Sequence, residues 1–216
     1  MSMIVRFLAA LAASLVLAAG PAMAAPTEDV ARLQQSWAHI KYEVPPAAQE
    51  AQFERLLGEA EQAAQRNPGN ADTLIWYGII ESTYAGAKGG IGALKYVKNA
   101  KATLERALAI EPGALAGSAY TSLGSLYYQV PGWPIGFGND ARAEEYLKKG
   151  LAVNPDGIDS NFFYGDYLMR KGDAVNAERY LRKALQAAPR AGRKLADDGR
   201  RAEIAQLLEK IAGGRK

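Results

Sequence analysis

Cysteine is absent from this 216-residue chain, and histidine occurs once. The first absence removes disulfides, thiolate metal sites and cysteine nucleophiles, so the fold must be held by packing alone. The second leaves His39 without the partners that a catalytic triad or a histidine-rich metal site requires. It sits between Trp37 and Ile40 on an amphipathic stretch and reads as a surface or half-buried structural residue. Charge of one sign is lacking too: 26 Lys and Arg face 23 Asp and Glu, interleaved along most of the chain, which argues against nucleic-acid binding. The segment 190–216 is more basic, with eight Lys/Arg against four Asp/Glu, and reads as a solvated helix face or a partner-facing tail.

Long hydrophobic runs are also missing, apart from one at the start. Residues 1–24 read MSMIVRFLAALAASLVLAAGPAMA. One arginine, an apolar run from Phe7 to Ala19 and the Ala22-Met23-Ala24 ending have the layout of a secretory signal peptide. The run is shorter than the roughly 20 residues of a membrane span, so no stable membrane insertion is expected after cleavage. No cysteine follows the run to carry a lipid. The expected compartment is the periplasm of a Gram-negative cell.

What is present is repetition. RNPGN, IEPGA, VNPDG and AAPRAG recur, with prolines at 68, 112, 155 and 189 and spacings of 44, 43 and 34 residues. Proline lacks an N–H and disfavours helix in the residue before it, so each proline stops an Ala/Leu-rich helix. Five residues before each proline stands a small residue: Ala63, Ala107, Gly150 or Ala184. Eight before the last three stands Leu104, Leu147 or Leu181, and twelve before them Ala100, Ala143 or Ala177. Small residues at fixed offsets let helices approach closely while leucine fills the groove between them.

A second kind of helix follows each of the first three prolines, and each contains an interior glycine: Tyr77-Gly78, Leu123-Gly124 and Tyr164-Gly165. An interior glycine costs roughly 1 kcal/mol against alanine, and is tolerated where a crossing helix leaves no room for a Cβ. Ahead of these units, Glu28–Val44 and Ala47–Arg66 keep helical spacing around Pro45-Pro46. Behind them, 200–211 places Ile204, Leu208 and Ile211 on one face, with Asp197-Asp198 as N-cap candidates. The acidic pairs Glu28-Asp29 and Glu144-Glu145 also read as helix-start residues.

Two stretches are longer than the repeat requires. AGAKGGIGALK, 85–95, and PGWPIGFG, 131–138, both fall between the first and second helix of a unit, and so along one edge of a stacked array. The second is apolar, with Trp133, Ile135 and Phe137. Either loop packs on loop, or the pair walls a pocket for a ligand or partner. GAKGGIG fails the phosphate-loop spacing, and helix rather than strand precedes it. It still opens onto a helix N-terminus with Lys88 and Lys95 nearby, where an anion could bind.

Residues 70–189 resemble the tetratricopeptide repeat, most closely over 161–189, where Tyr164, Gly165, Leu168, Ala177, Leu181, Ala184 and Pro189 match the family pattern. Glu81 and Asn161 depart from it, standing where the family has apolar or aromatic residues. The expected fold is all-α: a tetratricopeptide-like α-solenoid of about four helix hairpins plus a C-terminal capping helix. Residues 25–67 form a degenerate first hairpin, 68–189 the repeats with two inter-helix additions, and 190–216 the cap and basic tail.

The family register implies a concave face lined by the first helices. Its inward positions are Asp72, Ile75, Ile79 and Ser82; Ser118, Thr121, Ser125 and Tyr128; and Asp159, Phe162, Asp166 and Met169. Tyr77, Tyr127 and Tyr164 fall in the core. With Lys88, Trp133 and Phe137 from the added stretches, these form the candidate surface for a protein or peptide partner. YAGAKGGIGALKYVKNAKATLERAL, SLGSLYYQVPGWPIGFGNDARAEEYL and GRKLADDGRRAEI are similar to the exported T-component proteins associated with TRAP transporters. That resemblance implies a non-enzymatic periplasmic protein without cofactor or metal. It implies a periplasmic solute-binding protein as partner and a small apolar ligand.

Overall fold

The computed structural model describes residues 27–214; the segment read as a signal peptide lies outside them. The described residues form nine helices and no strand: α1 (Glu28–Glu43), α2 (Pro46–Arg66), α3 (Ala71–Lys88), α4 (Ala93–Ile110), α5 (Ala114–Gln129), α6 (Asp140–Val153), α7 (Ile158–Arg170), α8 (Ala174–Leu185) and α9 (Lys194–Gly213). Helices α2, α4, α6 and α8 stop two to four residues before Pro68, Pro112, Pro155 and Pro189. Thr27, Asn70, Asn139 and Asp173 cap α1, α3, α6 and α8 by accepting a backbone N–H three residues on.

The first eight helices pair as four hairpins, and α9 takes the place of the first helix of a fifth. The glycines sit where two helices of one hairpin cross. A Cβ on Gly78 would lie 2.7 Å from Leu104 Cγ, and one on Gly165 would lie 2.9 Å from Leu181 Cγ. Both leucines are fully buried, as are Ala63, Ala107 and Ala184. The offsets read from the sequence are therefore a packing code.

Hydrogen bonds accommodate the two departures from the family pattern, with the Asn161 Oδ1 alone left buried without a partner. Glu81 is 1 % exposed and accepts from Thr103 Oγ1 at 3.0 Å. Asn161 is fully buried and donates to the Pro155 and Gly157 carbonyls at 2.9 and 2.8 Å, tying α7 to the turn before it.

The first helices do not leave an open groove. They touch in the order α1, α3, α5, α7, α9, and α9 touches α1 again. The closure is tight: a Cβ on Gly199 would lie 2.4 Å from the Tyr42 ring. Ala196 of α9 joins the core cluster built from Val30, Leu33 and Trp37 of α1, and from Trp76 and Ile80 of α3. Helix α9 thus begins earlier than its apolar stripe suggests. Asp197 lies within its first turn rather than at its cap, and is 4 % exposed. Glu144 and Glu145 likewise fall in the second turn of α6, where they pair with Lys148 and Lys149 at 2.7 Å each.

The added residues behave differently in the two long units. Around 85–95 most of them extend α3 and α4, and only four residues, 89–92, connect the helices. Alanines favour that outcome, and Gly89 and Gly90 end α3 at φ 65° and 62°. The segment 130–139 is a genuine loop, as Pro131 and Pro134 require. It is closed by Gly138 N–H to Pro131 O at 3.0 Å and Asn139 N–H to Tyr127 O at 2.8 Å.

Candidate interaction surface

Burial divides the inward positions. Ile75, Thr121, Tyr128 and Phe162 are 0–7 % exposed, so they pack the array and are not available to a partner. Ile79 is half-buried against the same clusters as Leu115, and Met169 against the cluster around α7, α8 and α9. Ser82 spends its hydroxyl on the Ile79 carbonyl at 2.8 Å. The expectation of an open concave face lined by all these residues is corrected in part: the ring of first helices packs Ile75, Thr121, Tyr128 and Phe162 inside, while Ile79, Ser82, Ser125, Asp166 and Met169 stay half-buried.

Helix α9 covers the α7 side of that face with a charged network. Asp159 accepts from Arg190 Nη1 at 2.7 Å and Arg200 Nε at 2.8 Å. Asp197 takes Arg190 Nε and backbone N–H at 2.7 and 2.8 Å. Arg200 reaches Glu203 at 2.6 Å, and Tyr42 and Lys41 of α1 meet the same carboxylate at 3.4 and 3.7 Å. The Arg200 guanidinium lies 4.1 Å from the Phe162 ring centre. Burial pushes the Asp159 carboxyl up, but Arg200 and Arg190 outweigh it and hold it below the ordinary carboxylate range. Part of the basic segment read as a solvated face is therefore folded inward. Arginines and aspartates carry no periodic signal of such pairing, so sequence reasoning missed Arg190, Asp197 and Arg200.

Between α5 and α7, Tyr128 donates to Asp166 at 2.7 Å, and the Arg170 guanidinium lies 5.4 Å from the Tyr128 ring centre. Burial first, then the Asp166 carboxylate, push the phenol well above its usual range, so it remains a donor. Ser125 accepts from Gln129 at 2.8 Å beside this pair.

The edge formed by the turns within the hairpins carries the most exposed large apolar side chains. Trp133 is 90 % exposed and Ile135 62 %. Phe137, from the same loop, instead lies 5.4 Å from Tyr127, which stacks on Tyr146. Its place in the candidate surface is corrected: an edge-on aromatic contact with a buried tyrosine draws it into the core. Ile91 and Val175, at neighbouring turns, are 88 % and 72 % exposed. Lys88 is already paired, with Glu50 at 3.2 Å and over the Tyr84 ring.

A polar cavity of about 300 Å³ opens between α2 and α4, lined by Glu54, Glu61, Tyr77, Glu81, Lys95 and Tyr96 among others. Tyr77 packs, half-buried, against two core clusters as expected and also borders this cavity. Burial raises the Glu81 carboxyl to about 7 and the Tyr77 hydroxyl to about 12. His39 is exposed and bonded to Glu43 at 2.7 Å. Among the described residues no group of His, Cys, Asp or Glu is placed to hold a metal ion, and no helix is long and apolar enough to cross a membrane.

Comparison with known proteins agrees with the geometry. Residues 158–190, which span α7 and α8, match the family model of the tetratricopeptide repeat. A thermophilic tetratricopeptide repeat protein of Thermus thermophilus, TTC0263, superposes with a TM-score of 0.56 at 18 % identity, covering 83 % of this chain and 97 % of that one. MamA gives a TM-score of 0.44 at 17 % identity, covering 76 % of this chain and 88 % of that one. Pseudomonas aeruginosa pilF gives 0.36 at 17 % identity, covering 86 % and 92 %. No curated protein sequence matches. The fold is a tetratricopeptide-type solenoid, a scaffold commonly used to bind other proteins.

Proposed function

We propose that this chain is a non-enzymatic interaction protein, exported to the periplasm, that docks a protein partner through the edge formed by its inter-helix turns. The observation that carries the reading is Trp133, which is 90 % exposed on a loop stiffened by two prolines. A tryptophan held out by a rigid loop gives a large contact area at little entropic cost, and tryptophan is enriched among the residues that dominate interfaces. Ile135 stands beside it, and the exposed Arg170 at the end of α7 supplies a charged contact. The inner face is a poor alternative because α9 already occupies it. The test is capture from periplasmic extract by the wild-type chain and by a Trp133→Ala, Ile135→Ser variant. A partner retained by the first and lost by the second supports the reading, and equal retention opposes it.

A second reading is a small-ligand accessory of a TRAP-type transport system, in which the partner is a periplasmic solute-binding protein. The cavity between α2 and α4 favours it, although Glu54, Glu61 and Lys95 suit a polar ligand better than an apolar one. Native mass spectrometry of freshly purified protein distinguishes the two, since a retained small molecule belongs to the second reading alone.

A further inference from the structure

The loop 130–139 is flanked by cations from both neighbouring hairpins. On the α4 side, the Lys101 ammonium lies 6.0 Å from the Phe137 ring centre. On the α7 side, the Arg170 guanidinium lies 5.4 Å from the ring centre of Tyr128, close to the point where α5 gives way to the loop. Lys171 reaches Asp140, the residue that follows the loop, at 2.9 Å. The exposed Trp133 and Ile135 are thus held between basic side chains.

Ion pairing decides which of these charges remain for a partner. The carboxylates around the loop are engaged: Asp140 with Lys171, Glu145 with Lys149 at 2.7 Å and Arg142 at 3.5 Å, and Glu105 with Lys101 at 2.7 Å. Asp166, one turn before Arg170, accepts from Tyr128, and Asp173 caps α8. Arg170 is left over: it is exposed, and no carboxylate of the described residues lies within ion-pair distance of it. Lys98 is left over in the same way. It stands one turn from Lys101, on the side of α4 nearer the hairpin turn.

The edge therefore joins exposed apolar groups to uncompensated positive charge. Its complement is an apolar pocket framed by carboxylates. An anionic lipid surface shares part of that chemistry, since indole and basic side chains also suit a membrane interface. The acidic groups of the same edge weigh against it. Asp140 and Asp173 stand where α6 and α8 start, and a lipid surface presents negative charge to them as well as to Lys98 and Arg170. A folded protein can set its carboxylates opposite the free cations alone.

We infer that the partner docked by the Trp133 edge is a protein with an acidic contact surface, in which an apolar pocket takes the indole and carboxylates meet Lys98 and Arg170. This rests on the turn-edge reading above and adds the chemistry of the partner to it.

The test places a photo-crosslinking amino acid at 135 in the full chain, in the native cell, so that Trp133 is kept. Mass spectrometry of the product is expected to identify a protein segment rich in Asp and Glu. Lys98→Glu and Arg170→Gln are each expected to lower the crosslink yield about tenfold. Lys183→Gln, at the opposite edge beside Asp156, is expected to leave it unchanged. Lys98→Glu suits the first half of α4, and Arg170→Gln puts no like charge beside Asp166, so both variants should fold. In periplasmic extract the wild-type yield should also fall as salt is added. The inference is overturned, with the turn-edge reading intact, if the segment carries no acidic excess or if both variants crosslink as well as wild type. Binding to phosphatidylglycerol vesicles that Lys98→Glu abolishes, with no protein crosslinked, overturns both. So does the absence of any crosslink from 135.

Discussion

Gly124 lies against Leu147 so closely that a Cβ added to it would stand 2.6 Å from Leu147 Cγ and 3.0 Å from the Leu147 backbone nitrogen. Leu147 is 1 % exposed and cannot swing away. Gly124→Ala gains about 1 kcal/mol of helix propensity but forces α5 and α6 apart. A net loss of about 1–3 kcal/mol is expected in urea denaturation. A variant as stable as wild type would mean that the crossing is looser than described.

Release of α9 should follow loss of its charged anchor. Arg200 joins Asp159 and Glu203 and covers Phe162. Arg200→Met keeps the apolar cover but leaves Asp159 with Arg190 alone and Glu203 with Lys41 and Tyr42, at a cost of about 1–3 kcal/mol at neutral pH. Hydrogen exchange should rise across 194–213. Because its arginines lower the Asp159 carboxyl, its stabilising contribution is complete above the ordinary carboxylate range and is lost as pH falls below it. The variant should therefore lose less stability than wild type between about pH 5 and pH 2.

Glu81 has the opposite sign. Burial raises it from 4.5 to about 7, so the folded chain holds the proton more tightly than the unfolded chain between those values. Stability should fall as pH rises through that window and level off above it. Glu81→Gln, which can still accept from Thr103, should remove the slope and stabilise the chain by about 1–3 kcal/mol above pH 7. Thermal melts of both proteins from pH 4 to pH 8.5 would check it; parallel curves would contradict it.

The repeat was legible because its signals are local and periodic. The prolines mark the turns between hairpins, while Leu104, Leu147, Leu181 and the three glycines each act within one hairpin, where the structure brings them together at the crossings. Closure of the ring was not legible, since it depends on contacts such as Gly199 on Tyr42 and Arg200 on Asp159 that join distant elements. No spacing rule marks those pairs. The loop 130–139 was half legible: its apolar character was plain, but not that Phe137 would turn in while Trp133 turned out.

Exposure makes Trp133 separable from stability. Trp133→Ala should leave the unfolding free energy within about 0.5 kcal/mol of wild type, because a 90 % exposed side chain loses little burial. A larger loss would mean that the loop packs on the array after all.

Docking at the turn edge rather than the inner face is tested most directly by a photo-crosslinking amino acid placed in the native cell at 133, or at 79 on the inner face. Position 79 is half-buried against Leu115 and the first core clusters. The account predicts a discrete crosslinked partner from 133 and none from 79. A partner captured from 79 and absent from 133 would contradict it.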